Sequence, residues 1–232
     1  MSYMVISNYY AFCQLSCLML KSKFNKQLMF TLCTLPISTV AIGGVSGEFV
    51  VGFGPVSLGK VIMTSSCEDD TCKYKTIARG SFLFVSADII EHGTYEQHDT
   101  LIVPVFTSYE EEIGSKYKAY TYDFVSMEST NKKKKKQKKL EKSAYPFIPL
   151  LNQVALDLAN GGMKQDYEYI IKQDIKPVIA TSHTKTPVDK GTLHQVIVEG
   201  KEKPLEIYFV QNGNSIQLQK IYYGSFWLAP EK

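Results

Sequence analysis

No Gly-x-Ser-x-Gly elbow, phosphate-cradling glycine loop or paired-histidine zinc helix occurs in this chain of 232 residues. Each absence removes a reason to name a nucleophile, a nucleotide site or a helix-borne zinc. Also missing are an apolar run of the roughly 20 residues that a spanning helix needs and any repeat of fixed period. Charge of one sign is lacking too. Lys and Arg total 26 against 23 acids, and the excess is Lys21, Lys23 and Lys26, which leaves 23 of each sign over residues 48–232. Cysteine is scarce: of five, Cys13, Cys17 and Cys33 precede residue 48. Nothing in composition or spacing calls for a cofactor.

What residues 19–47 do have is order. Three lysines are followed by an uncharged stretch from Leu28 to Ala41 and then by small residues, the three parts of a secretion signal. Ala41-Ile42-Gly43 and Val45-Ser46-Gly47 place cleavage near Gly43 or Gly47. The stretch is too short to span a bilayer and Pro36 interrupts it; a retained membrane tether is the alternative. A lipoprotein signal is disfavoured, because Leu32 precedes Cys33 where a small residue is expected. The expected organisation is an extension and signal over 1–47 and one domain over 48–232, long enough for a sizeable core.

Past the signal, Cys67 and Cys72 flank Glu68-Asp69-Asp70-Thr71 between two β-rich runs. In an oxidising compartment this reads as a hairpin stapled by a disulfide across its tip. Period-two alternation dominates the rest: Leu101, Val103 and Val105 share a face, as do Tyr120, Tyr122 and Phe124, Tyr167, Tyr169 and Ile171, and Leu205, Ile207 and Phe209. Turn signals recur at Gly52–Pro55, Gly93, His98-Asp99, Asp189–Gly191 and Asn212-Gly213-Asn214. The expected class is mainly β, an antiparallel barrel or half-barrel.

Pro146–Asn160 breaks the pattern. Phe147, Leu150, Leu151, Val154, Ala155 and Leu158 recur at helical spacing, with Gly161-Gly162 behind, which predicts one amphipathic helix. It packs on a sheet face or lids the mouth of a barrel. Before it, Lys132–Lys139 holds seven lysines in eight positions. Like charges repel, so residues 130–142 are expected to be a solvated loop. Contact with anionic lipid head groups is the second reading. Nucleic acid comes last, since no arginine or aromatic residue interleaves the run and exported proteins seldom meet nucleic acid.

The order of these motifs resembles a bacterial exported family called domain of unknown function 3108. Gly47-Glu48-Phe49-Val50-Val51 and Val56-Ser57-Leu58-Gly59-Lys60 are similar to its opening strands, Leu83 to Tyr95 to its next element, and Leu101 to Phe106 to its proline-containing strand. Tyr122-Asp123-Phe124 and the helix near Pro149-Leu150 follow in order. Ile148 departs from a position where the family often has an acid, and the lysine run is an insertion. At the C-terminus, either Phe226–Glu231 or Ile207-Tyr208-Phe209 matches a late tryptophan-containing strand; the second alignment, with Ile216–Ile221 following, leaves no strand missing. The resemblance implies a periplasmic β-barrel or half-barrel and brings no established catalytic residue.

The remaining candidates for chemistry are few. His92 and His98 lie near Asp88, Glu91, Glu96 and Asp99, a loose set for a divalent metal, read in preference as solvent-facing. His183 and His194, separated by a turn signal and alternating with strand residues, read equally as surface histidines or as part of a site. The expected function is an envelope binding or scaffolding module whose partner is a lipid or an envelope protein. Tyr120, Tyr122, Phe124, Tyr167 and Tyr169 would line a concave sheet, and Leu150, Val154 and Leu158 would close it from the helix side, around an apolar chain. The competing class is an envelope hydrolase acting on glycan or peptidoglycan with Asp88 and Glu91 as its acids.

Overall fold

The structure, a computed structural model, describes residues 45–82, 85–199 and 203–231. Most of the expected signal, together with Leu83 and Phe84 of the family motif, lies outside the described residues. Alternating β-branched and aromatic residues give fourteen strands: β1 (Gly47–Phe53), β2 (Val56–Glu68), β3 (Thr71–Phe82), β4 (Val85–His98), β5 (Leu101–Ile113), β6 (Lys116–Asp123), β7 (Glu128–Asn131), β8 (Lys136–Lys139), β9 (Asp166–Ile171), β10 (Asp174–Val188), β11 (Gly191–Val198), β12 (Leu205–Asn212), β13 (Ser215–Tyr223) and β14 (Phe226–Pro230). The one helix among the described residues, α1, is Phe147–Ala159, flanked by Pro146 and Asn160.

All fourteen strands form a single antiparallel sheet in the order β8 to β1, then β14 back to β9. Two meanders are thus joined where β1 pairs with β14, Val51 opposite Leu228. The fold is mainly β, and the sheet is not closed by strand pairing, consistent with a half-barrel. Register shifts at Val51/Gly52, Thr94/Tyr95, Ala180/Ser182 and Tyr208/Phe209 bend it, since an extra residue in one strand sharpens local twist. Gly93 does not mark a turn as its residue type suggested; it sits inside β4, where an added Cβ would stand 2.1 Å from the Phe106 carbonyl oxygen. Cys67 and Cys72 face each other across β2 and β3 and are joined by a disulfide.

The helix forms where periodicity put it and packs on the concave face of the sheet, more deeply enclosed than its apolar stripe alone requires. Ile148 to Leu158 are buried without exception, polar residues included. The concave side of the sheet wraps α1, and the polar side chains find partners there. Asn152 Oδ1 accepts from the Val45 N–H at 2.7 Å, and its amide donates to the Tyr95 hydroxyl at 3.1 Å. Gln153 accepts from the Ile102 N–H at 2.7 Å and donates to the Thr100 carbonyl at 3.1 Å and to Asp157 at 2.8 Å. Tyr167 donates to the second Asp157 oxygen at 2.8 Å.

The lysine run differs from its expectation as a loop. Lys136–Lys139 pairs with Glu128–Asn131 as edge strand β8, and 132–135 is the turn between them. All eight positions are exposed, so charge and pairing coexist; a lysine-rich edge discourages pairing with another sheet.

Gln153→Leu keeps the volume of the side chain while stranding the Ile102 N–H and two acceptors. Each buried group left unpaired costs about 1 to 3 kcal/mol. Urea unfolding of this variant should therefore show a loss of at least about 3 kcal/mol, whereas Lys134→Ser should stay within about 0.5 kcal/mol of wild type. Near-equal midpoints for the two variants would show that α1 is not locked to the sheet by this amide.

Candidate ligand-binding site

The helix occupies only one half of the concave side. Its hydrogen bonds reach Tyr95, Thr100 and Ile102, near the disulfide and the β4–β5 turn. Toward the opposite end, where β1–β2, β3–β4 and β5–β6 turn, the inward side chains shrink. Along β3 the inward series is Tyr74, Thr76, Ala78 and Gly80. Two connected spaces result. A cavity of about 330 Å³ lies against the start of α1, between Phe147, Met63, Thr76, Glu91, Tyr109 and Tyr169. A groove of about 690 Å³ continues from it over Leu58, Gly80, Ala87 and Ile113. Val51, Val61, Ala78, Ile89 and Phe226 line both.

Two polar groups interrupt the apolar wall. Thr76 and Glu91 are directly opposed on β3 and β4 and are 7% and 9% exposed. Thr76 Oγ1 and Glu91 Oε1 have no hydrogen-bond partner among the described residues. Burial pushes the Glu91 carboxyl up to about 7, while the Ile148 backbone N–H at the start of α1 and the Tyr74 hydroxyl pull the other way. The Tyr74 hydroxyl also meets Thr107 Oγ1 at 2.8 Å. Burial first, and then the Glu91 charge, raises the Tyr122 and Tyr169 phenols, which stay neutral.

The residues expected to line a ligand space are divided. Tyr169 lines the cavity. Tyr120, Tyr122 and Phe124 stack in a ladder, with ring centroids 6.4 and 6.3 Å apart, and pack with Leu140, Ala144 and Ile170 in a second cluster. Leu150, Val154 and Leu158 belong to the main core, and Tyr167 is held by Asp157. The cavity's helix residue is instead Phe147. Thr76, Met63 and Tyr109 had no motif to mark them; the available signal was the alternation Ala87, Ile89, Glu91, Gly93, Tyr95, which puts a carboxylate on the apolar face of β4.

The hydrolase acids are not brought together. Asp88 is on the other face of β4, bonded to Arg79 at 3.2 Å, with Glu91 inside. His98 pairs with Glu96 at 3.1 Å, and no group of three or more metal-ligating side chains occurs among the described residues. His194 is not a surface residue. It is buried, meets His183 at 3.0 Å and Gln211 at 2.9 Å, and both rings have lowered pKa values, chiefly through burial. No protein-family model, curated protein or solved structure matches the chain.

Glu91 makes stability depend on pH in a defined direction. The folded state holds its proton more tightly than the unfolded chain, whose value is near 4.5. The stability it contributes is complete below about pH 4.5 and is lost as pH rises through 7, a change on the order of 3 kcal/mol. Glu91→Gln should flatten that part of the urea-midpoint profile and leave the contribution of Asp157, also raised by burial. An unaltered profile would show that the carboxyl reaches solvent.

Proposed function

We propose that the protein is an exported envelope binding protein that holds the apolar chain of a lipid-like ligand between the sheet and the start of α1. The observation that carries this reading is the groove of about 690 Å³ that runs into the cavity of about 330 Å³. Both lie within the roughly 300 to 1,000 Å³ of small-molecule sites and share their apolar lining with a few polar groups. Among the described residues that line the cavity, no second carboxylate stands beside Glu91 for paired acid–base work, which favours binding over hydrolysis.

Export fits the hairpin disulfide, and the core bears on the cleavage point. Val45 is 3% exposed and its N–H is bonded to Asn152, so cutting near Gly47 removes a core residue and cutting near Gly43 keeps it. Native mass spectrometry of protein taken from the envelope fraction reads both features at once. The chain should begin near Gly44 and carry an apolar adduct. Ala87→Trp, which fills the groove, should lose the adduct with little destabilisation. If the groove is in fact closed, overpacking costs about 1 to 3 kcal/mol instead, and a folded wild type without adduct sinks the reading.

The partner that suits the open end is an anionic bilayer. Val56, Val85, Ile113 and Phe226 are exposed around the groove mouth. The 132–135 turn lies beside the β5–β6 hairpin at that end, with Lys133 Nζ bonded to the Tyr117 carbonyl at 3.3 Å. Lysines near such a surface contribute about 1 kcal/mol each. Flotation with phosphatidylglycerol vesicles should recover the protein, and replacement of Lys132 to Lys135 by serine should reduce recovery at least tenfold. Equal recovery with neutral phosphatidylcholine vesicles would remove the charge from this account.

A further inference from the structure

We infer that Thr76 and Glu91 form a head-group anchor at the inner end of the groove, which selects a single-chain amphiphile carrying a hydroxyl head. The inference rests on the binding reading above and names the class of ligand. Its basis is geometric. The two residues are cross-strand partners, and side chains so opposed on one face have Cβ atoms about 5 Å apart. Each is more than nine-tenths buried, each lines the cavity, and each presents an oxygen with no partner among the described residues. Buried polar atoms are normally paired, because desolvation without a hydrogen bond is costly. Two orphans side by side at the end of an apolar channel form a socket for one small polar group.

The chemistry of that group follows from what the wall lacks. No lysine or arginine lines the cavity, so a carboxylate or phosphate head would bring its charge against Glu91 with nothing to neutralise it. An ammonium carries three donors against two unpartnered buried oxygens. An unsubstituted alkane leaves both oxygens unpaired. A hydroxyl donates one hydrogen bond and accepts others, so a single oxygen can donate to Glu91 Oε1 and accept from Thr76. It also suits both forms of a carboxyl that is raised to about 7, accepting from the protonated form and donating to the ionised one. With the head at Thr76 and Glu91, the chain runs outward over Ala78, Ile89 and Ala87 to the mouth.

The test is displacement of N-phenylnaphthylamine, a neutral fluorescent probe, from the mature chain. The competitors are dodecanol, dodecanoate, dodecylamine and dodecane, which share one chain and differ in the head. Dodecanol should displace the probe at about tenfold lower concentration than the other three, equivalent to roughly 1.4 kcal/mol. Thr76→Val should erase that lead, and Thr76→Ser should restore it. Equal displacement by all four overturns the anchor and leaves the apolar groove standing, with water as the resident of the socket. A lead for dodecanoate or dodecylamine overturns the hydroxyl assignment. Failure of wild type to bind the probe at all overturns the groove and the anchor together.

Discussion

Everything inside the sheet is arranged around the amide of Gln153. It is fully buried and ties α1 to two points of the β4–β5 connection, accepting from the Ile102 N–H and donating to the Thr100 carbonyl. Its bond to Asp157 then orients that carboxylate toward Tyr167 on β9. Since each of these groups is out of water, no member can move without leaving another unpaired. The helix is consequently pinned at the disulfide end of the concave face. Its first turn is left pointing at the middle of the sheet, where the Ile148 N–H favours the charged form of Glu91 against its burial.

That placement explains which parts of the fold the sequence discloses. Alternation along β4, β5 and β6 is a property of neighbouring residues, and so is the polar turn between Cys67 and Cys72. Both are legible because the determinant is local. The limits of α1 are legible for the same reason, with Pro146 before the first turn and Gly161 after the last. What the polar face of α1 meets is not local. Asn152, Gln153 and Asp157 have the composition of a solvent-facing stripe, and only the sheet's curvature buries them, Asn152 and Gln153 against Tyr95, Thr100 and Ile102 more than 50 residues away and Asp157 against Tyr167. Curvature in turn comes from bulges, such as that at Thr94/Tyr95, which leave little trace in residue type beyond an internal glycine.

The candidate site was half legible for a related reason. Tyr169 was reachable from alternation, and it does line the cavity. Leu150, Val154 and Leu158 were reachable as an apolar helix face, but whether such a face borders a cavity or a filled core depends on how far along the sheet the helix sits. Glu91 was legible only beside Asp88, as one of two hydrolase acids; the structure separates them, Asp88 bonding to Arg79, and the inward direction of Glu91 follows from its parity with Ile89 and Tyr95. The lysine segment misled because charge was read as disorder. A strand at the edge of a sheet tolerates lysine at every position, as its outer backbone faces water and its charges guard that edge; Lys138 also bonds to the Gln173 carbonyl at 2.9 Å.

The hollow itself is written in a gradient of side-chain size. At the helix end the inward positions are Tyr74, Tyr95 and Ile102, each at most 3% exposed, and they pack on α1 without leaving room. At the other end the corresponding positions are Ala78, Gly80, Ala87 and Gly59. Gly59 and Gly80 are directly paired, and neither position has room for a larger residue: a Cβ on Gly59 would stand 2.1 Å from the Arg79 carbonyl oxygen, and one on Gly80 2.6 Å from that of Leu58. Their close approach fixes the wall there as bare backbone. A helix one or two turns longer at its N-terminus would fill the space above it, but Pro146 stands before the first turn and Tyr145 is engaged with β9 through its N–H to the Glu168 carbonyl and its carbonyl to the Ile170 N–H. The end of the helix and the small residues of β2, β3 and β4 therefore act together: one stops the core from advancing, and the other keeps the sheet from filling the gap from its own side.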